Sequence, residues 1–452
     1  MPTLDLPIVA VVGGGFSGLM TALHLARSGS VRVRLIEKTA NFAQGAAYST
    51  ANPDHLLNVR AANMSAWPDD PAHFARWLAA RHPGNAPGFA RRGEYGLYLQ
   101  DLLAQAASRG EGRLSLVSDA AVGLARDGAG WRLEHASGAV ERVDAVVLAV
   151  GNPPPTTPAG IDPAIRRDPR YHADPWRFQA RTEEDDDKPI LLIGSGLTMV
   201  DVALSLTRAA PGRRIIALSR RGLLPFAHAP TSPIEPLSPP AKASPTILLR
   251  WLKARAQAHG WRETIDALRP WTQGIWRVWS PARRASFLRH ARPYWDVRRH
   301  RLAPDVATRI EALIQSGQLT LLAGRLATLE PSLDDLRLGW TARGAHERQT
   351  LDVGQAINCT GPAGALATDC DPLLGALRDA GLVRPDPQQL GLDVDASGRL
   401  IGANGAPHDR LYAVGPITRG AFWEITAVPD IRLQAALVAE TLIATLTPVQ
   451  AA

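Results

Sequence analysis

Cysteine is nearly absent: Cys359 and Cys370 are the two in a chain of 452 residues. So few cannot build a disulfide framework, a Cys-x-x-Cys redox pair or a cysteine zinc cluster. A reducing compartment is the simplest setting, and a cytoplasmic location is expected. No uninterrupted apolar run reaches the roughly 20 residues a membrane helix needs. The N-terminal run Ile8-Val9-Ala10-Val11-Val12 is too short to span and ends in glycines, not in a cleavage site. No membrane partner is therefore expected. Hydrophobic residues make up 45% and charged residues 21%, which excludes a disordered, coiled-coil or collagen-like chain. The net charge of +7 (50 Lys+Arg against 43 Asp+Glu) comes from arginine. Charge alone argues weakly for nucleic acid, and no nucleic-acid partner is expected. At roughly 150 residues per domain, the length allows two to three domains.

What is present is glycine in a telling context. Residues 8–12 read as a buried strand, and Leu19 to Ala26 as a helix. Between them stands Gly13-Gly14-Gly15-Phe16-Ser17-Gly18, a GxGxxG turn. Gly13 makes the tight turn, Gly15 lets the backbone approach a pyrophosphate, and Gly18 lets helix and strand pack closely. The helix N-terminus, with Phe16 and Ser17, faces the phosphates. A second strand, Val31 to Ile36, ends at Glu37, 19 residues past Gly18, where an acid is needed for a ribose hydroxyl. Lys38 follows it.

A second copy lies mid-chain. The strand Pro189 to Ile193 leads into Gly194-Ser195-Gly196-Leu197-Thr198-Met199 and the helix Val200 to Thr207. Met199 replaces the third glycine, so looser helix–strand packing is expected. The next strand, Ile215 to Leu218, ends in Ser219-Arg220-Arg221, not in an acid. Arginine at this slot accommodates a 2′-phosphate, which predicts NADPH over NADH. The bland alternative is that Arg220 and Arg221 are solvated surface charge. Two dinucleotide units imply two dinucleotides, most economically FAD and a nicotinamide donor.

This layout resembles the flavoproteins with two dinucleotide-binding domains, including the flavin-containing and N-hydroxylating monooxygenases. Asp144 to Asn152, with Gly151, looks like the strand and glycine entering the interdomain linker. Gln355 to Gly361 looks like the matching return, and Leu411 to Gly415 like the late strand that crosses the flavin site. Relatives usually place an Asp after that last glycine; here it is Pro416, so that contact must come from elsewhere. The monooxygenase linker fingerprint is half present, as His172-Ala173-Asp174-Pro175-Trp176. A closer resemblance is to bacterial FAD/NAD(P)-binding family proteins. It rests on Gly45 to Thr50, His55 to Arg60, Arg92 to Gly96, Tyr294 to Asp296 with Arg299 to Arg301, and Phe422 to Pro429. It implies cofactor contacts at Tyr48, Asn58, Arg60 and Thr426, and the wider flavoprotein resemblance implies them at Gly361 and Gly415. The 45–60 segment reads equally as an ordinary turn and strand. A helix from Asp430 to Leu446 is expected, with Pro429 suiting its first turn.

Residues 225–310 hold six of the twelve tryptophans and many arginines. Pro225 to Pro245 reads as an extended loop, and the rest as amphipathic helices separated by Pro270, Pro281 and Pro293. Basic and aromatic residues together can bind single strands, but inside a cofactor-binding chain a helical cap is favoured. Trp295, Arg301 and Trp423 are the candidate substrate contacts, Arg301 as a bidentate carboxylate clamp. Trp423 and Phe422 suit core positions equally well. The acidic run 183–187 reads as a solvated linker, and no metal site is expected.

The fold class expected is α/β, with two Rossmann-like dinucleotide-binding domains and a helical insert. Residues 1–180 and 350–452 would form a discontinuous FAD domain, and 181–349 the NAD(P)H domain with its insert at about 225–310. The resemblance implies an FAD-dependent, NADPH-driven monooxygenase acting on a small-molecule substrate and O₂ through a flavin hydroperoxide. The alternatives are an NAD(P)H-dependent flavoprotein reductase and a binding protein that retains FAD without catalysis. No catalytic dyad is visible.

Overall fold

A computed structural model describes residues 6–84, 86, 88–109, 112–179, 188–240, 242–362, 364, 366 and 371–447. The acidic run 183–187 and Cys370 lie outside these. Two parallel-cored sheets organise the chain, as the two glycine turns require.

The first sheet has six strands in the order Arg399–Ile401, Pro407–Ala413, Ala145–Leu148, Ile8–Val12, Arg32–Glu37, Leu114–Ser118. Ile8–Val12 runs parallel to both neighbours, pairing Val9 with Val33 and Ala10 with Val146. Central strands covered on both faces are continuous apolar runs, and Val9, Ala10 and Val11 are wholly buried. Helix Phe16–Arg27 packs between this sheet and the C-terminal helix Val428–Leu446. That helix starts two residues before the expected Asp430, with Pro429 in its first turn. A separate antiparallel meander, Ala121–Asp127, Gly130–His135 and Val140–Val143, leads back into the first sheet.

The second sheet has seven strands in the order Arg348–Val353, Leu336–Ala342, Leu319–Pro331, Ile215–Ser219, Ile190–Ile193, Gln355–Asn358, Tyr171–His172. The last four are parallel to their neighbours and carry the second glycine turn. This moves both expected domain boundaries. The expected boundaries put Tyr171–His172 and Gln355–Asn358 with the first unit, yet both strands hydrogen-bond into the second sheet. The crossing therefore falls before residue 171 and after Asn358. The reason is burial. Ile190–Ile193 is buried throughout, so its backbone N–H and C=O groups need a partner strand along each edge, and Ala356-Ile357-Asn358, all three wholly buried, lie on one of them.

Between Ser219 and Leu319 the chain builds the insert. Helices Pro245–His259, Trp261–Leu268, Thr272–Val278, Pro281–His290 and Arg292–Arg299 follow one another. Ser244 and Ser280 cap two of them, each followed by proline in the first turn. Trp276, Trp279 and Trp295 form the insert core with Leu248, Leu268 and Trp423. Pro304–Gln315 is no part of this cap. Its Val306 and Ile310 sit in the core of the second sheet, so it is the crossover helix into Leu319–Pro331. No helix among the described residues is long and apolar enough to cross a membrane.

Candidate active site

The first turn has the geometry of a dinucleotide cradle. Gly13 takes φ +108°, and a Cβ there would stand 2.4 Å from the Ala149 carbonyl oxygen. A Cβ on Gly18 would stand 1.8 Å from the Gly13 oxygen, which fixes the close approach of helix to strand. Gly15 by contrast faces open space, meeting only the Gly45 Cα at 3.5 Å among the described residues. That is the space a phosphate group requires. The Glu37 carboxylate accepts from the Gly14 N–H at 2.7 Å, which holds the acid at the end of its strand beside the turn. Gly415 closes the far side: at φ +83° its Cα lies against Ser17, and a Cβ would come within 2.2 Å of the Ser17 hydroxyl. Its N–H donates to Gln434 Oε1 at 2.8 Å. The residues present thus fit an FAD pyrophosphate and ribose.

Other residues expected around the first dinucleotide are more scattered. Tyr48 packs edge-on against Tyr95 at 4.7 Å, and burial pushes its hydroxyl pKa up to about 12. Lys38 reaches Asp371 at 3.9 Å. The Asn58 carbonyl accepts from His228 Nε2 at 3.0 Å, and Arg60 donates to the Ala229 carbonyl at 3.1 Å. Asn58 and Arg60 thus join the 55–60 segment to the loop that enters the insert. Gly151 takes φ +74° where the chain leaves the first sheet.

The second turn repeats the first with one change. Gly194 takes φ +124°, and a Cβ there would stand 2.5 Å from the Cys359 oxygen, while Gly196 faces open space. Met199 is wholly buried in the core behind the helix, so its side chain fills the space that a glycine would leave. At the end of the next strand, Ser195 Oγ donates to Ser219 Oγ at 2.8 Å. Arg220 is exposed, whereas Arg221 lies over the Tyr294 ring at 5.5 Å. Arg221 and Arg343 beside the Tyr294 hydroxyl hold its pKa below the usual phenol range. Arg343 was invisible in the sequence. It follows strand Leu336–Ala342 and reaches the slot because Ala323 pairs with Ser219 and accepts from the Arg343 N–H.

A polar pocket of about 310 Å³ gathers several of the expected residues. Gly194, Gly196, Gly361, Trp423 and Thr426 all line it. So do Arg292, Asp296, His300, Arg419 and Glu424. Asp296, His300 and Glu424 lie in the stretches that carry the family resemblance, whereas Arg292 and Arg419 lie outside them. Burial raises the Asp296 pKa, although Arg292 Nε stands 3.2 Å from its carboxylate. The side chain keeps 36% of its surface accessible and lines the pocket. Burial, with Arg292 nearby, brings Arg419 down to about 10, so it stays cationic at neutral pH. Its Nε donates to the Leu390 carbonyl at 2.8 Å.

Glu424 anchors the pocket wall. It is buried, takes φ +70°, accepts from the Trp295 indole N–H at 2.7 Å and pairs with Arg299 at 2.7 Å. Burial pushes its pKa up, but His300, Arg299 and Trp295 outweigh that and bring it down on balance.

One expected substrate contact is not where the sequence suggested. Arg301 is buried, makes a bidentate pair with Asp266 at 3.0 and 2.9 Å, and donates to the Arg298 and Arg262 carbonyls. It lines neither this pocket nor the cavity of the insert. Its fork is used to join two insert helices, so it is no carboxylate clamp for a ligand. Trp295 and Trp423 are also packed in the insert core, where Trp423 stacks on Trp276 at 4.6 Å. Trp423 is nonetheless both core and wall. The half-fingerprint does not meet here: His172 faces Gln355 and Phe178, and Trp176 is exposed. Among the described residues no His/Cys/Asp/Glu group could hold a metal. The Cys359 thiol is buried, which raises its pKa above the usual thiol range.

Comparison with known proteins agrees with this geometry. Residues 10–153 match a family model described as FAD-NAD(P)-binding. An uncharacterised protein of Mycobacterium tuberculosis is 24% identical, over 99% of this chain and 97% of its own length. Ornithine hydroxylase from Pseudomonas aeruginosa has a similar fold at TM-score 0.66 and 15% identity, covering 98% of this chain and 100% of that one. Bacillithiol disulfide reductase from Staphylococcus aureus has a TM-score of 0.59 and 13% identity, covering 98% of this chain and 99% of that one. Residues 10–153 therefore carry a domain of the FAD/NAD(P)-binding family, within a chain that has the fold of flavoproteins with two dinucleotide-binding units.

Proposed function

We propose that this chain is an FAD-dependent, NADPH-driven monooxygenase acting on a small organic molecule. The observation that carries the reading is the polar pocket, where the open second turn meets the return segment 359–361 and the 423–426 wall. A nicotinamide held on the second turn would open onto it, and on this reading a flavin held on the first turn would reach it along the 423–426 wall. Bound flavin would supply the two-electron chemistry between nicotinamide and dioxygen. The chain supplies the rest. Gly13, Gly15, Ser17 and Glu37 would hold the flavin nucleotide. Gly194 and Gly196 would take the nicotinamide pyrophosphate, with Arg220, Arg221 and Arg343 for the 2′-phosphate. The indole of Trp423 and the insert helix Arg292–Arg299 would wall one side of the pocket.

Asp296 is the group suited to hold or accept a proton there, because burial raises its pKa while its carboxylate still faces the cavity. A thiol relay has no support. The sequence contains no Cys-x-x-Cys, and Cys359 is buried with its thiolate disfavoured. Fold similarity to N-hydroxylating enzymes at 0.66, against 0.59 for a disulfide reductase, supports the same choice.

The test is single-turnover oxidation. FAD-loaded protein is reduced anaerobically with NADPH and then mixed with ¹⁸O₂ in the presence of candidate substrates. One labelled oxygen per flavin in the organic product is the expected result. Reduction followed by stoichiometric hydrogen peroxide with every substrate class, alongside efficient transfer to quinone acceptors, would instead make the chain a reductase.

A further inference from the structure

The insert lines a second, partly open cavity of about 370 Å³, distinct from the polar pocket. Leu248, Leu252, Ile265, Trp276, Trp279 and Trp423 are among its walls. The indole N–H groups of its tryptophans are largely spent on the fold. Trp276 donates to the Gly420 carbonyl at 2.8 Å, Trp279 to the Ala243 carbonyl at 2.8 Å, and Trp295 to Glu424 at 2.7 Å. These rings therefore offer an occupant carbon surface and no donor. The charged residues in the lining, Lys253 and Arg298, are both cationic, and no carboxylate joins them among the described residues. Trp423 lines this cavity and the polar pocket, and it is the residue the two share.

We propose that this cavity binds the apolar body of an amphiphilic carboxylate, a medium-chain acyl anion whose head is met by Lys253 and Arg298. Its size lies within the range of small-molecule sites, roughly 300–1,000 Å³. Placed there, the ligand lies one indole ring from the pocket assigned to the redox chemistry, and a member of this class that carries a nucleophilic amine or thioether beside Trp423 would be the substrate of the oxygenation. That last assignment rests on the monooxygenase reading; the binding does not.

The experiment reads binding without turnover. FAD-loaded full-length protein, with no NADPH, is titrated with hexanoate, octanoate, decanoate and dodecanoate by calorimetry. Affinity should rise roughly three- to fourfold per added methylene until the cavity is full. Ile265→Trp, which fills the cavity, should weaken dodecanoate at least about tenfold. The paired rim variant Lys253→Gln with Arg298→Gln should weaken dodecanoate about fivefold and leave dodecanol unchanged. A flat response along the chain-length series overturns the proposal, as does unchanged dodecanoate binding by Ile265→Trp. Should Ile265→Trp lose its flavin, the chain-length series and the rim variant decide. Equal loss of dodecanoate and dodecanol in the rim variant refutes the carboxylate. Binding without any acyl-dependent NADPH oxidation keeps the site and removes its assignment as the substrate site, whatever other substrate the enzyme oxygenates.

Discussion

Gly15→Ala should separate flavin binding from folding. Gly15 precedes helix Phe16–Arg27 with φ −73° and ψ −170°, an extended conformation any residue adopts. The added methyl would meet the Gly45 Cα at 3.5 Å, an ordinary van der Waals distance. The fold absorbs it at a capping cost of about 0.5–1 kcal/mol. The same methyl occupies the space through which a pyrophosphate approaches the turn. Two charge-assisted backbone hydrogen bonds lost there, at about 1.5 kcal/mol each, amount to about 3 kcal/mol, or roughly a hundredfold in Kd. Gly18→Ala is the control with the opposite signature. Its Cβ falls 1.8 Å from the Gly13 oxygen and 3.2 Å from the Ala149 Cβ, so helix or strand must move. Overpacking of that kind costs about 1–3 kcal/mol in the apoprotein itself. The assay is FAD titration of stripped protein by flavin fluorescence, alongside urea unfolding of the same apoprotein. Wild-type FAD affinity in a well-folded Gly15→Ala protein would refute the placement of the pyrophosphate at this turn.

Three further outcomes follow from the same geometry. Arg221→Ala with Arg343→Ala should weaken NADPH about tenfold or more while leaving NADH unchanged; anaerobic flavin-reduction rates at varied donor concentration read this, and an equal loss for both donors would make the arginines structural. Arg301→Met should cost about 1–3 kcal/mol of stability, because the buried fork to Asp266 and two carbonyls is lost, without changing KM for any substrate that shows turnover. Arg170→Gln should lower the urea midpoint at pH 7 by the equivalent of about 1 kcal/mol, and the gap from wild type should close in acid. The sign follows from Asp168. The Arg170 fork beside it, at 2.7 Å, lowers its folded-state pKa, so its contribution is present above the unfolded carboxylate range and disappears as pH falls through the depressed value.

The fold was legible because each dinucleotide unit is local. Strand, glycine turn, helix and strand lie within about 30 contiguous residues, and each glycine answers to a backbone approach that the sequence spacing already implies. The sheet boundaries were not legible. Tyr171–His172 and Gln355–Asn358 are short pieces with little apolar patterning, and nothing local says which sheet edge they will complete. The pocket was half legible. Gly194, Gly196, Gly361, Trp423 and Thr426 came from motifs, whereas Arg419 arrives by loop closure with no signature around it. Outside the pocket, Arg343 reaches Tyr294 beside Arg221 by strand register. Arg301 shows the converse error. An arginine in an aromatic, basic cluster reads as a ligand clamp, but the acid it needs, Asp266, stands 35 positions earlier on another insert helix.

Glu424 is where the fold and the pocket constrain each other. A glutamate at φ +70° carries backbone strain of about 1–3 kcal/mol, which glycine would relieve. The side chain explains why a glutamate can be tolerated there. It accepts from Trp295 and pairs with Arg299, while the preceding Trp423 stacks on Trp276, so two successive residues fasten the pocket wall to the insert. Both partners of the ion pair are largely shielded from solvent, with 13% of the Arg299 and 4% of the Glu424 side chain accessible. Breaking such a pair leaves a buried cation and costs about 3–5 kcal/mol. At mid-range the lost pair outweighs the relieved strain, and Glu424→Gly should be less stable than wild type by about 2 kcal/mol. Glu424→Gln keeps the shape and the acceptor for Trp295 but removes the charge, and should fall between the two. Because the glutamate pKa is depressed on balance, wild type and Glu424→Gln should converge as acid neutralises the carboxylate. Urea unfolding of the three proteins from pH 7 downwards gives the order. A Glu424→Gly protein more stable than wild type at pH 7 would mean that strain, not the ion pair, dominates at this position.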